Sequence, residues 1–419
     1  MEKKNVRELG FMLASVSIYR EILQDEVFEN LAKIIGDECE NANEATEVYS
    51  NMFHLLCKSP FKGNLCDYIY DKVIYSENLF TLECSKGDFE KLPTYIVDAA
   101  KNDLSILYKI ACITPDEIKQ HIGEKFPKIH ELTKYMPNFS NEPTIFIEFG
   151  DWGDKFEHFV SHSVNHGYGF YSRYNFFYLD ETGPTIKPVL NPDSICLENL
   201  KGYEAQRKTI VDNTMALLSG VKANNMLLYG QRGTGKSSTV KAIVNDYQSY
   251  GLRLIEVSKD NLKYLGRVID MLANIPMKFI VFVDDLTFVD GDDSYTALKA
   301  VLEGSSNKLG DNMALYATTN RRHMITETFS SREGDEVHLK DTLDEAASLS
   351  DRFGITVTFS FPSRKEYLEI VGKLAVDNNV SMDKEQLETG AIAWSARRGS
   401  FSPRTAKQYI DFVIAKEIM

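Results

Sequence analysis

The segment GQRGTGKS, Gly230 to Ser237, most restricts what this chain can become. It fits the phosphate-loop pattern of a glycine, four residues, then Gly-Lys-Ser/Thr. Average residue usage gives a chain of 419 residues about one or two chances in a hundred of matching it at random. The context agrees with the pattern. The apolar run NMLLY leads in, and SSTVKAIVNDYQSY reads as a helix closed by Gly251. In such a loop the glycines Gly230, Gly233 and Gly235 let backbone N–H groups converge on phosphate oxygens at the positive end of the following helix. Lys236 then reaches the β- and γ-phosphates and the Ser237 hydroxyl ligates Mg²⁺. Gln231, Arg232, Thr234 and Ser238 complete the candidate binding loop. The bland alternative is a glycine turn with an incidental lysine.

A second signal lies in FIVFVDDL, Phe279 to Leu286. Five apolar residues read as a buried strand that delivers Asp284 and Asp285 to its C-terminal end. Two carboxylates there are costly unless they meet a cation or water. Ligands gather at the carboxyl ends of strands in open α/β sheets, so the pair is expected to face the phosphates. Asp284 is the candidate to hold Mg²⁺, directly or through water, and Asp285 to orient or deprotonate an attacking water. The alternative is a solvated acidic strand end.

The rest of the chain is organised around these motifs. A length of 419 residues implies two or three domains. Residues 1–140 show the three-to-four-residue apolar periodicity of helices. Residues 141–190 change texture: TIFIEF reads as a strand, KFEHFVSHSVNH as a helix, FYSRYNFFYLD as an aromatic-rich strand, and ETGPTIKPVLNPDS as a linker. Residues 191–362 alternate helices with the strands NMLLY, LRLIEV, FIVFVDD, MALYATT and GITVTFSF, mostly continuous apolar runs suited to a parallel sheet covered on both faces. Residues 363–419 suggest only helices. The expected architecture is α/β: a three-layer αβα P-loop core, a C-terminal helical lid and a mostly helical N-terminal region.

Charge and cysteine usage remove several function classes. A net charge of −14 argues against a surface built overall for nucleic acid or anionic membrane. The six cysteines contain no CxxC pair, so reduced thiols are expected rather than a zinc or disulfide framework. Lys3, Lys4 and Arg7 precede a short apolar run, but Glu2 and Glu8 interrupt the basic residues and no cleavage site follows. No stretch approaches the ~20 apolar residues of a membrane span. A cytoplasmic location is the expectation.

A P-loop strand and an acidic strand separated by one strand in sequence resemble the ASCE branch of P-loop NTPases. YATTN, SLSDRFG and SPRTAKQ narrow the likeness to AAA+ ATPases. The blocks GYEAQRKTIVDNT, ANNMLLYGQRGTGKSS, VFVDDLTF, LKAVLEGS, YATTNRRH and SLSDRFG resemble, in order, one bacterial family of predicted AAA+ ATPases classed as a domain of unknown function. That likeness runs from about Pro188 to the C-terminus and does not extend over the first 140 residues. It implies ATP and Mg²⁺ as ligands. It implies Asn320 as sensor 1, Arg352 as an arginine finger and Arg404 as sensor 2, with Gly202 and Tyr203 against adenine. Two departures stand out. Asp285 occupies a position that is glutamate in most AAA+ proteins, and Pro403 directly precedes Arg404.

Each role has a plainer counterpart: Asn320 as a turn cap, Arg352 as a partner of Asp351 or another carboxylate. His158, His162 and His166 share a helical face, read as a half-exposed polar stripe rather than a metal site. Arg321, Arg322 and His323 read as a basic loop that lines an interface or pore or is simply solvated, and Thr326 to Glu345 as an exposed loop. The resemblance implies Mg-dependent ATP hydrolysis and leaves the cellular role open. The leading expectation is an ATPase that remodels a protein partner docked through the N-terminal region, with a homo-oligomer as a candidate assembly. The alternatives are a slow regulatory switch that retains ATP or ADP, and a DNA-associated loader, against which the acidic balance counts.

Overall fold

The computed structural model describes residues 6–144, 150–289, 293–303, 309–320, 325–326 and 352–418. Lys3, Lys4, most of the TIFIEF strand, Arg321, Arg322, His323, Asp351 and nearly all of the stretch read as an exposed loop lie outside these residues. The chain divides into two units, Met1–Arg173 and Tyr174–Met419.

The described part of the first unit is helical, and several of its helices begin where short polar side chains accept from free N–H groups. Asn41, Asn64, Asn78 and Thr114 each cap the helix that follows. Leu31, Ile35, Tyr49, Leu56, Ile69 and Leu107 form part of its buried core. The unit reaches beyond residue 140, because the helix Phe156–His166 turns Phe156 and Phe159 inward. Phe156 lies 5.0 Å from Phe80, and Trp152 lies 5.7 Å from Tyr70. The boundary at residue 140 is thereby moved to 173, and the separate 141–190 segment is split between the two units.

The second unit is built on a sheet of seven described strands: β1 Phe176–Leu179, β2 Ile186–Pro188, β3 Met226–Gly230, β4 Leu252–Glu256, β5 Lys278–Val283, β6 Met313–Thr319 and β7 Ile355–Phe359. Their order is β2-β1-β4-β5-β6-β3-β7, and every pairing except β1 with β2 is parallel. This is a mostly parallel α/β sheet, with β6 between the strand β3 that leads into the glycine-rich loop and the acidic strand β5. A further two-residue parallel pair joins Phe288–Val289 to Ile325–Thr326.

Two expectations need correction. The stretch FYSRYNFFYLD is not one strand: Gly169–Arg173 is helical and β1 begins at Phe176. The supposed linker contains β2, which pairs with β1 through Leu179 and Ile186. Asp180 N–H donates to the Thr185 carbonyl to close the hairpin around Gly183. The prolines misled the reading, because a proline is tolerated on an edge strand.

The helices Glu204–Leu218 and Lys236–Tyr247 cover one face of the sheet, where Ile210, Leu217, Val240 and Ile243 join its buried residues. The last three helices, Arg364–Asp377, Lys384–Arg398 and Pro403–Ile418, enclose their own core of Tyr367, Val371, Ala391 and Ile410. Register places the motifs together. Tyr229 lies beside Thr319 and Val283 beside Ala317, so Gly230, Asp284 and Asn320 emerge on the same edge of the sheet.

Candidate nucleotide-binding site

The carboxyl edge of the sheet and the last helices line a cleft of about 850 Å³. Its floor is the loop between β3 and the helix Lys236–Tyr247. Gly230, Gly233 and Gly235 take φ values of 150°, 82° and 91°, a region that L side chains enter with strain. Gly235 is the residue at which the helix starts, so the first turn presents its free N–H groups to the cleft.

Lys236 is only 6% exposed. Its ammonium donates to the carbonyls of Gly230 and Gln231 at 2.6 and 3.0 Å and to Asn320 Oδ1 at 2.8 Å. Burial pushes its pKa below the ordinary lysine value, while the Asp284 and Asp285 carboxylates oppose that shift. Ser237 Oγ donates to Asp284 Oδ1 at 2.6 Å, and Thr318 Oγ1 donates to the same oxygen at 2.5 Å. Ser237 and Asp284 thus supply an oxygen-only donor pair next to a phosphate loop. That suits Mg²⁺, which takes few protein ligands and completes its shell with phosphate and water.

Asp285 differs from its neighbour. Its φ of 51° is in the left-handed region, and its N–H donates to Asp284 Oδ1 and Thr318 Oγ1. Asparagine and aspartate enter that region more readily than most other residues. This gives a physical reason for an aspartate rather than a glutamate at this position. Asn320 Nδ2 donates to Asp285 Oδ1, and Arg232 Nη2 to Asp285 Oδ2.

The last three helices close the end of the cleft that holds the glycine-rich loop. Arg404 N–H donates to the Gly233 carbonyl at 3.3 Å, and a methyl on Gly233 would stand 3.3 Å from Arg404 Cβ. Pro403 is the first residue of its helix, where a missing N–H costs nothing. At the other end, Tyr203 enters the helix Glu204–Leu218 at φ 59° and donates its hydroxyl to the Ser360 carbonyl at 2.6 Å. Burial raises the pKa of that phenol. Gly202 stands against the lid, where a methyl would meet Ile370 Cδ1 at 2.9 Å.

The cleft therefore brings together Arg232, Gly233, Thr234, Gly235, Lys236, Ser237, Ser238, Asp284, Asp285, Asn320, Arg404 and Tyr203. Gly230 and Gln231 contribute carbonyls beneath Lys236 and do not themselves line it. Arg352 is not brought to it: its guanidinium pairs with Glu303 at 2.8 Å. His158 accepts or donates at Nε2 to the Tyr70 hydroxyl at 2.9 Å, inside an aromatic cluster.

Several cleft residues were missed from sequence. Thr318 was legible, since it lies at the carboxyl end of the strand Met313–Thr319, two positions before Asn320. Ser194 and Ile195 carry no motif. They reach the cleft because Asn245 of the P-loop helix donates to the Asp193 and Ile195 carbonyls at 2.7 and 2.8 Å. Lys201 pairs with Asp377 of the lid at 2.6 Å, an ion pair that spans 176 residues of sequence, from 201 to 377. Arg207 lines the cleft with its pKa lowered by burial, which Glu204 opposes.

A model of a family described as "Protein of unknown function (DUF815)" matches residues 172–417. No curated protein matches the chain in sequence. Among solved structures, the RuvB Holliday junction branch migration motor of Thermotoga maritima aligns over 52% of this chain and 63% of its own, at 19% identity and a TM-score of 0.35. Two single-residue variants of that motor align over 52% of this chain at 18% and 20% identity, again with TM-scores of 0.35. The aligned part thus spans less than two thirds of the motor's length, 63%.

Proposed function

This chain belongs to the DUF815 family, and from that premise we propose that it is an ATPase that binds ATP with Mg²⁺ in the cleft between sheet and lid. The observation that carries the reading is the linked set Lys236–Asn320–Asp285 and Ser237–Asp284 along one sheet edge. Backbone N–H groups of the loop and Lys236 hold the β- and γ-phosphates, and Ser237 and Asp284 hold the cation. The cation, when bound, neutralises charge that develops on the phosphate oxygens. Asp285, oriented by Asn320, positions a water and accepts its proton as the water oxygen bonds to the γ-phosphorus and ADP leaves. Arg404 adds positive charge from the lid. Arg352 acts, in this reading, across a subunit boundary, because in its own chain it is held on Glu303 rather than at the cleft. Coupling to a protein partner through the N-terminal unit is the working model of what turnover drives.

The test is phosphate release from Mg·ATP across a range of protein concentrations. Lys236→Ala is expected to abolish nucleotide binding and turnover together. Asp285→Asn is expected to keep binding and lose roughly 10²–10⁴-fold in turnover. If sites are completed between subunits, specific activity rises with concentration and Arg352→Ala removes that rise. Turnover no greater than that of Lys236→Ala would refute the ATPase reading.

The contacts at Asp285 favour one second reading, a slow switch that signals through bound nucleotide. Both of its carboxylate oxygens are engaged, by Asn320 and Arg232. Very slow turnover with tight nucleotide retention would decide for it.

A further inference from the structure

Lys236, Asn320, Asp285 and Arg232 form a continuous chain of side chains. Lys236 Nζ donates to Asn320 Oδ1 at 2.8 Å, Asn320 Nδ2 to Asp285 Oδ1 at 2.5 Å, and Arg232 Nη2 to Asp285 Oδ2 at 3.2 Å. The cations at both ends come from the same phosphate loop, and the carboxylate between them has each oxygen occupied. Asp285 is fixed in place by its two backbone N–H contacts and its left-handed φ. Arg232 is the movable member, with a side chain 77% exposed. An ion pair of that exposure favours contact only roughly two- to fivefold.

We infer that Arg232 reads the third phosphate: it rests on Asp285 and exchanges that carboxylate for γ-phosphate oxygens, which frees Asp285 Oδ2 for water. This rests on the reading of the loop as an ATP site. Charge favours the exchange. A terminal phosphate carries more negative charge than a carboxylate and offers three acceptor oxygens, which a guanidinium fork can engage in pairs. On Asp285 the fork makes a single contact at 3.2 Å. ADP ends at the phosphate that the loop backbone and Lys236 already hold, so it leaves Arg232 on Asp285. The loop would thus distinguish ATP from ADP by a residue within its own motif, and hydrolysis would reset the pair.

The test is equilibrium binding of ADP and of a non-hydrolysable ATP analogue, each with Mg²⁺, to the full chain and its Arg232→Gln, Asp285→Asn and double variants. Arg232→Gln is expected to weaken the analogue roughly tenfold or more, the worth of a hydrogen bond to a charged group. It should change ADP by less than about twofold, because Arg232 then only loses an exposed contact. Asp285→Asn removes the resting partner and is expected to tighten the analogue roughly two- to fivefold. That gain should vanish in the double variant, and Arg232→Lys should restore part of the discrimination. Equal weakening of both nucleotides by Arg232→Gln overturns the inference, as does a gain from Asp285→Asn that survives without Arg232. Lys236→Ala separates the two levels. If it binds both nucleotides like wild type, the phosphate-site reading falls and takes the inference with it. If it loses both while Arg232→Gln shows no discrimination, the inference alone falls.

Discussion

Gly230 and Gly235 both hold positive φ, yet they face different neighbours. A methyl on Gly230 would meet the Phe359 carbonyl of β7 at 2.1 Å, whereas one on Gly235 meets nothing within 4 Å. The motif treats the two as equivalent, but the tertiary structure does not. Gly230→Ala is expected to lower stability by about 3 kcal/mol, through a backbone clash that forces β3 from β7. Gly235→Ala is expected to cost only about 1–2 kcal/mol, the strain of a left-handed L residue. Thermal unfolding of the two variants side by side checks the difference, and equal losses would contradict it. Asp285 makes the same point for chemistry. Its identity was visible in sequence, while its left-handed backbone and its contact with Arg232 were not.

At the scale of elements, five helix starts in the first unit are set by the local caps Asp25, Asn41, Asn64, Asn78 and Thr114, but the turn at residues 17–19 is held from afar. Asp103, in the middle of the helix Thr94–Ala111, accepts the N–H groups of Ser17, Ile18 and Tyr19 at 2.9, 2.6 and 3.1 Å on one carboxylate oxygen. Burial raises the pKa of this acid, and those three backbone hydrogen bonds oppose the shift. Asp103→Ala leaves one buried and two part-buried N–H groups without their acceptor and is expected to cost about 2–4 kcal/mol. The chain has two tryptophans, Trp152 in this unit and Trp394 in the lid, so denaturant unfolding in a Trp394→Phe background reports this unit alone. An unchanged midpoint would show that water replaces the carboxylate. In the second unit, β2 belongs at this scale too, since its pairing with β1 turns a proline-rich stretch into part of the sheet.

At the scale of the whole molecule, the family match at residues 172–417 nearly coincides with the unit Tyr174–Met419. That unit contains the sheet, the lid and every residue of the cleft, and it has buried cores of its own. A fragment of residues 174–419 is therefore expected to fold and to bind nucleotide within about threefold of the full chain. Circular dichroism and nucleotide titration check this, and loss of binding by a folded fragment would assign the first unit a part in the site. The sequence by itself determined the glycine-rich loop, the acidic strand, the five strands β3 to β7 and the helical character of both ends. Those features are written in short-range spacing: glycine placement, runs of apolar residues, and helical periodicity. Only the tertiary structure decided the boundary at 173, the hairpin of β2, the place of Ser194 and Ile195 in the cleft, and the holding of Arg352 on Glu303. These depend on which surfaces meet after the chain returns over tens to hundreds of residues. A pairing such as Lys201 with Asp377 leaves no local pattern, because neither residue type is unusual until the fold brings them together.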